Sequence, residues 1–225
     1  MKMSLDRKEL RQFTNGQLEQ FFPDRGYPLS GNDVTAAIKL ALERCEYCFS
    51  RISVKGYHDV DGALFYHLNS DQYAQYLWFL ANSLWTISEN KAVCDKLILL
   101  NRALNAVWIS YKNTLPDIFL LVHPLGTVLG NAKYSDFLVV SQNVTVNTSA
   151  NLRIGKGCFL AAGAKIIGEE EIGDMVSIGV DACVYKKAVP SSHLVYRDRD
   201  GQIRIKHMPT GGAQSYFNVD IMKYV

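Results

Sequence analysis

Large aliphatic residues recur every six positions along the C-terminal half of the chain. From residue 154 onward, the sequence divides into hexads that each begin with a large aliphatic side chain: Ile154, Leu160, Ile166, Ile172, Ile178 and Val184. A small apolar residue follows four positions later in every hexad but one, where Glu170 stands instead. A period of six fits neither a helix nor an alternating strand. It predicts a parallel β-helix in which each hexad forms one side of a three-sided coil, with the aliphatic residue pointing inward.

The same spacing continues upstream in a shifted frame. Its members there are Val128, Tyr134, Val140, Val146 and Leu152. The change of phase near Leu152 and Ile154 predicts an insertion of two residues, as a loop at a corner of the coil would require. We therefore expect the β-helix to run from about residue 120 to residue 189, in roughly four coils.

Residues 1–115 have a different pattern, which predicts a helical domain. Apolar residues recur at three- and four-residue steps over 34–52, 73–87 and 93–111, as in amphipathic helices. A shorter helix, followed by an irregular connection around Gly26, is expected before them. Pro116 ends the helical part because proline cannot continue the hydrogen-bond ladder.

Residues 191–225 are predicted to form a hairpin and a tail. Two short strands flank Asp200 and Gly201, a typical hairpin turn. The apolar end of the tail either packs back onto the protein or is disordered. The predicted fold class is therefore α+β: a helical domain at 1–115, a β-helix at 116–190, and a C-terminal hairpin and tail at 191–225.

Composition narrows the possible partners. The chain has 225 residues and a net charge of +2, with no block of basic residues that would indicate a nucleic-acid partner. It has no stretch typical of a signal peptide or a membrane span, so a cytoplasmic protein is expected. Five cysteines fit a reduced compartment. Cys45 and Cys48 form a C-x-x-C, but a zinc site would need a second pair, and no metal is expected.

Three motifs in the β-helix region carry the chemical information. They are HPLGTVLGNA at 123–132, QNVTV at 142–146 and GAKIIG at 163–168. In this order they resemble the hexapeptide-repeat acyltransferases, and most closely the serine O-acetyltransferase branch, over about residues 120–190. The resemblance implies a left-handed β-helix, a homotrimer with active sites between subunits, and acetyl-coenzyme A (acetyl-CoA) as the acetyl donor.

The resemblance also places His123 at the position of the family's general base. Transfer of acetyl to a hydroxyl requires removal of the hydroxyl proton, and neutral imidazole is suited to this near pH 7. Asp117 is the nearest upstream carboxylate. It could orient the imidazole, bind the acceptor, or serve only as a turn residue at the end of the helical part.

Donor binding in this family follows small residues in successive coils. The matching positions are Ala162, Gly163, Gly179 and Val180. Lys165, Lys186 and Lys187 are candidates for charge-assisted hydrogen bonds to the donor's phosphates, or are simply solvated lysines.

Three departures from the serine acetyltransferase pattern affect the predicted acceptor. Val122 stands where the family has an aspartate before the histidine, and Trp108 stands near the position of the aspartate that orients it. Residues 147–151 replace a longer glycine-rich loop that carries a second histidine. These differences favour a sugar hydroxyl of a bacterial capsule or O-antigen polysaccharide over serine.

The candidate acceptor-binding residues are Asn131, Tyr134 and Gln142, each of which could instead be a corner or stacking residue of the coil. Three alternatives remain open at this point. They are serine O-acetylation, N-acetylation of an amino-sugar nucleotide, and a non-catalytic trimeric β-helix that serves as an assembly module.

Overall fold

The computed structural model describes residues 1–24 and 29–225. The connection expected around Gly26 lies outside these residues. A helical part and a parallel β-solenoid share one continuous hydrophobic core. No helix in the described ranges is both long and apolar enough to cross a membrane.

Four helices form the N-terminal part: α1 (Arg7–Phe21), α2 (Asn32–Phe49), α3 (Ser70–Ser88) and α4 (Lys91–Asn105). Helix α1 begins with a capping box, in which Asp6 and Glu9 each accept the other's backbone amide. Helix α3 is central, because it packs against both α2 and α4. Three short strands, β1 (Lys2–Met3), β2 (His58–Asp59) and β3 (Gly62–Phe65), form a separate small sheet.

Two aromatic side chains of α3 pack against the solenoid, whereas Tyr76 packs against Phe65 within the helical part. Tyr76, Trp78 and Phe79 are fully buried. The rings of Trp78 and Phe79 lie 5.7 and 5.4 Å from the ring of Phe119 in the solenoid. Helix α3 is therefore the element that joins the helices to the β-solenoid.

Three faces make up the solenoid. The first contains β4 (Trp108–Ile109), β6 (Val128–Leu129), β9 (Thr145–Val146), β12 (Lys165–Ile167) and β14 (Cys183–Tyr185). The second contains β5 (Phe119–Leu121), β8 (Leu138–Val140), β11 (Phe159–Leu160), β13 (Ser177–Ile178) and β15 (His193–Arg197), with β16 (Ile203–His207) antiparallel to β15. The third contains β7 (Lys133–Tyr134) and β10 (Arg153–Ile154), extended by bridges at Ile172 and Val189. This is the parallel β-helix predicted from the hexads, and its fold matches the left-handed β-helix that the resemblance implied.

The register of the coils locates the two-residue insertion. Ile154 pairs with Tyr134, which is 20 residues earlier, and with Ile172, which is 18 residues later. The same interval of 20 separates Val146 from Ile166 on another face. The extra residues therefore lie in the loop at 147–153, at a corner, as the phase change predicted.

At its N-terminal end, the solenoid departs from the hexad pattern. Val128 was expected to point inward, but it is 38% exposed, whereas Leu129 is 1% exposed. The inward phase is one residue later here because only 17 residues separate Leu129 from its partner Val146. In addition, Trp108 and Ile109 form a strand that pairs with β6, rather than the end of a helix. The first strand of the solenoid thus lies upstream of the division expected at residue 116.

The C-terminal residues pack back onto the protein. The predicted hairpin is present, with β15 and β16 paired on either side of Asp200 and Gly201. Beyond it, residues 211–225, here called the C-terminal strap, run along the solenoid and reach the helical part. Gly212 donates its amide to Ser177 Oγ at 2.9 Å, and the carbonyl of Tyr216 accepts from the amide of Ser53 at 2.9 Å.

Candidate active site

His123 lies where the solenoid meets the helical part, and its closest carboxylate is Asp71. Asp71 Oδ2 is 3.2 Å from the ring Nδ1 of His123 and 3.0 Å from its backbone nitrogen. The histidine side chain is 75% exposed, whereas that of Asp71 is 12% exposed. One oxygen of this buried carboxylate therefore contacts both the exposed imidazole and the backbone amide of His123.

Local structure explains how these two residues meet. His123 follows strand β5 and has a positive φ of 47°, which turns the chain sharply at the solenoid corner. Asp71 lies in the first turn of α3, behind the cap residue Asn69. Acidic residues are favoured at this position by the helix dipole. The helix start thus presents a carboxyl group to the histidine.

The position of Asp71 favours one histidine tautomer. A carboxylate 3.2 Å from Nδ1 favours the form with the proton on Nδ1, because an ionised carboxylate only accepts hydrogen bonds. The other ring nitrogen, Nε2, is then unprotonated in the neutral imidazole. Because the side chain is exposed, this nitrogen is available to accept a proton from an acceptor molecule.

Asp117, the carboxylate singled out in the sequence, lies elsewhere. It lines a hollow with Glu43, Arg44 and Tyr47. Burial lowers the pKa of Arg44, and the negative charge of Asp117 acts in the opposite direction. Asp117 is thus placed to interact with Arg44, and its role at His123 stays a prediction.

Several of the predicted donor-binding residues share one corner of the solenoid with His123. This corner joins the second face to the first, and each coil contributes a short segment to it. The backbone amide of Gly163 donates to the carbonyl of Gln142 at 2.9 Å. One coil later, the backbone amide of Asp181 donates to the carbonyl of Ala162, also at 2.9 Å. Gly179 and Val180 belong to the same corner one coil later, and Val180 is 62% exposed.

Gly163 is required at this corner by its backbone conformation. Its φ is +72°, and an added Cβ would lie 2.1 Å from Oδ1 of Asp181. Lys165 lies just beyond, is exposed, and donates from Nζ to the carbonyl of Gly163 at 3.0 Å. Ala162, Gly163 and Lys165 thus lie along the same corner as His123, with the segment of Gln142 between them.

The remaining candidates lie at the next corner, between the first and third faces. Asn131 and Tyr134 line a hollow of about 370 Å³, and Asn131 is exposed. The hydroxyl of Tyr134 donates to the carbonyl of Gly130 at 2.7 Å, and burial raises its pKa. Lys186 and Lys187 are exposed at the same corner. Within one chain, a face of the solenoid separates these four residues from the corner that holds His123.

Sequence reasoning missed Asp71, which lies 52 residues before His123. The available signal was Ser70-Asp71 at the start of a predicted helix, a position that is also common for purely structural capping. Across the described ranges, no group of three or more His, Cys, Asp or Glu side chains is arranged to hold a metal ion.

Comparisons with known proteins were made by sequence and by structure. No protein-family model and no curated protein sequence matches the chain. Solved structures do match. Serine acetyltransferase from Vibrio cholerae aligns with a TM-score of 0.61 and 21% identity, over 93% of this chain and 92% of that one. The enzyme from Brucella abortus aligns with a TM-score of 0.63 and 19% identity, over 89% and 84%.

A third similar structure is a serine acetyltransferase in complex with CoA. It aligns with a TM-score of 0.59 and 19% identity, over 88% of this chain and 76% of that one. The coverage extends through the helical part as well as the solenoid. Over nearly its whole length, this chain therefore has the fold of the serine acetyltransferases.

Proposed function

We propose that the protein is an acetyl-CoA-dependent O-acetyltransferase in which His123 is the general base. The observation that carries the proposal is the pairing of His123 with Asp71, which leaves Nε2 free at the surface beside a corner of small residues. The fold shared with serine acetyltransferases supports the same chemistry.

The proposed reaction is a direct acetyl transfer. Nε2 of His123 accepts the acceptor's hydroxyl proton as that oxygen attacks the acetyl carbonyl carbon of the thioester. The carbon–sulfur bond then breaks, and the sulfur leaves as the thiol of CoA with the proton that His123 returns. Asp71 stays ionised, holds the Nδ1 proton, and stabilises the positive imidazolium. A general base of this kind is worth about 10²–10⁴ in rate.

The residues at the His123 corner fit an extended donor arm. Ala162 and Gly179 are partly exposed and carry no side chain larger than a methyl group, so a ligand can approach the backbone closely there, whereas Gly163 is buried and shapes the corner. Lys165 is adjacent for a phosphate contact. Lys186, Lys187, Asn131 and Tyr134 would reach the same site from a neighbouring subunit of a homotrimer, whose active sites lie between subunits.

We propose a sugar hydroxyl of a bacterial surface polysaccharide, in a capsule or O-antigen, as the acceptor. Val122, which is half-buried and apolar, precedes His123 and offers no charge for an amino acid's ammonium group. A neutral glycan hydroxyl needs no charged partner. Reduced thiols and the use of acetyl-CoA favour a cytoplasmic location.

Serine is the second candidate acceptor, and one observation favours it. The buried carboxylate of Asp71 lies beside His123 and could substitute for the aspartate that is absent at Val122. The coverage of whole serine acetyltransferases points in the same direction. A non-catalytic assembly role is less well supported, because it does not explain the His123–Asp71 pair. N-acetylation of an amino-sugar nucleotide would also use a general base, so it stays an alternative for the assay.

Release of free CoA from acetyl-CoA tests these candidates. Purified protein is assayed with de-O-acetylated surface polysaccharide from the source strain, with L-serine and with an amino-sugar nucleotide. His123→Ala is compared with His193→Ala, a histidine of the hairpin. Turnover on polysaccharide that only His123→Ala abolishes supports the proposal. Turnover on serine alone would identify serine, and not the polysaccharide, as the acceptor. Absence of both turnover and CoA binding would contradict the enzymatic function.

A further inference from the structure

Strand β5 lies at the end of its sheet, so one of its two edges has no neighbouring strand. The groups along that edge include the carbonyl of Phe119 and the amides of Leu121 and His123. All lie at the junction with the helices, where unpaired backbone groups are costly. Their partners are supplied by side chains, chiefly from α3.

Gln75 supplies the central pair of contacts. Its Nε2 donates to the carbonyl of Phe119 at 3.0 Å, and its Oε1 accepts from the amide of Leu121 at 3.3 Å. Gln75 is fully buried. Its amide group therefore pairs with the strand as a backbone peptide of an additional strand would.

Asp71 continues the same row of contacts. It precedes Gln75 by one helical turn, on the same face of α3, and accepts the next free amide of the edge, that of His123. Four residues of a helix span about 6 Å. Two residues of a strand span about 6.6 Å. Asp71 and Gln75 thus match alternate amides of the strand, with the helix antiparallel to it.

We infer that Gln75 is a positioning residue for His123. Its two hydrogen bonds fix the register of α3 along β5, and this register brings the carboxylate of Asp71 to Nδ1 of His123. A helix that slides along the strand loses both sets of contacts together. The effect on turnover rests on the proposed function, whereas the effect on the histidine ring does not.

Gln72 provides a matched control within the same helix. It is also fully buried, and its amide pairs with three backbone groups. Nε2 donates to the carbonyls of Gly56 and Leu64 at 3.0 and 3.3 Å, and Oε1 accepts from the amide of Tyr66 at 2.7 Å. These partners belong to the segment around β3 and not to β5. Loss of Gln72 therefore removes comparable contacts without releasing the strand edge that leads to His123.

The test is the tautomer of His123, measured by nitrogen NMR on substrate-free protein at about pH 8.5, two units above the ordinary histidine pKa. His123→Ala assigns the signals. We expect the Nδ1–H form in the wild type and in Gln72→Met, and a shift toward the Nε2–H form in Gln75→Met. Gln75→Asn is a second variant, because its shorter amide cannot reach both backbone groups. In the kinetic arm, the Gln75 variants should lower kcat about 10-fold with an unchanged KM for acetyl-CoA.

The outcomes separate a positioning role from a purely structural one. An Nδ1–H form that persists in both Gln75 variants would overturn the inference, as would an equal change in Gln72→Met. Failure of both Gln75 variants to fold, with a folded Gln72→Met, would also overturn it and leave a structural role. If the wild type shows no acetyl transfer, the proposed function fails, but the tautomer measurement still decides the role of Gln75.

Discussion

One carboxylate oxygen of Asp71 contacts both the ring and the backbone of His123, at 3.2 Å from Nδ1 and 3.0 Å from the amide nitrogen. The first contact favours the tautomer with the proton on Nδ1, because a carboxylate accepts hydrogen bonds. The second holds the backbone of a residue with a positive φ. The helical part is therefore a component of the candidate active site, and not only a domain attached to it.

Substitution of Asp71 should impair catalysis more than substrate binding. We expect Asp71→Asn to lower kcat/KM about 10²-fold, because an amide nitrogen facing Nδ1 favours the wrong tautomer. Steady-state kinetics with acetyl-CoA measure the effect. Asp117→Asn is the matched control and should retain activity, since Asp117 lies beside Arg44. Loss of activity in Asp117→Asn alone would show that the sequence-based choice of Asp117 was the better one.

The close spacing of the coils predicts opposite effects for two glycine-to-alanine substitutions. A Cβ at Gly130 would lie 2.5 Å from backbone atoms of Asn147 and Thr148, whereas a Cβ at Gly16, within α1, meets nothing within 4 Å. Gly130→Ala should destabilise the protein by about 1–3 kcal/mol. Gly16→Ala should stabilise it by about 0.5–1 kcal/mol. Urea unfolding measures both, and equal effects would contradict the predicted steric conflict.

The C-terminal strap should contribute to global stability through Phe217. Its buried ring lies 5.3 Å from that of Phe137, and its backbone bridges to Ile52 of the helical part. Phe217→Ala should therefore lower the free energy of unfolding by about 3 kcal/mol. Tyr224→Ala is the control, because Tyr224 also contacts Phe137 but is half exposed. A loss no larger than that of the control would mean that the strap is only loosely attached.

Stability should depend on pH through Asp33. The hydroxyl of Ser88 donates to its carboxylate at 2.9 Å, and this bond, aided by the amide of Asn90, lowers the pKa of Asp33. A lowered folded-state pKa contributes stability above the ordinary aspartate value, and that contribution is lost as pH falls through the folded value. Asp33→Asn should therefore flatten the decline of stability in acid. Thermal unfolding between about pH 5 and 2 tests this. An unchanged slope would exclude the contribution.

The sequence predicted the elements whose pattern is local. The hexads specify the solenoid because each coil places an inward aliphatic residue, such as Ile166 or Ile178, at a fixed interval. The phase change near Leu152 located the inserted loop for the same reason. The hairpin followed from Asp200-Gly201.

The remaining features depend on packing between distant segments. Trp108 continues an apolar pattern suited to a helix, but pairing with Val128 makes it a strand. Asp71 resembles an ordinary residue of a helix start until the fold brings it to His123. The packing of the tail does not follow from local pattern, because the decisive contacts, such as that of Phe217 with Phe137, join segments 80 residues apart.

The C-terminal strap also affects the folding of the chain, because it joins segments that are far apart in the sequence. Ser53 Oγ donates to the carbonyl of Ser215, 162 residues away along the chain. The side-chain amide of Asn218 donates to the carbonyl of Ser50, 168 residues away. Contacts of such sequence separation form late, because closing long loops costs entropy before any contact is gained. The strap follows both the helical part and the solenoid in the sequence, so its contacts with Ser50, Ile52 and Ser53 can form only after both have been synthesised.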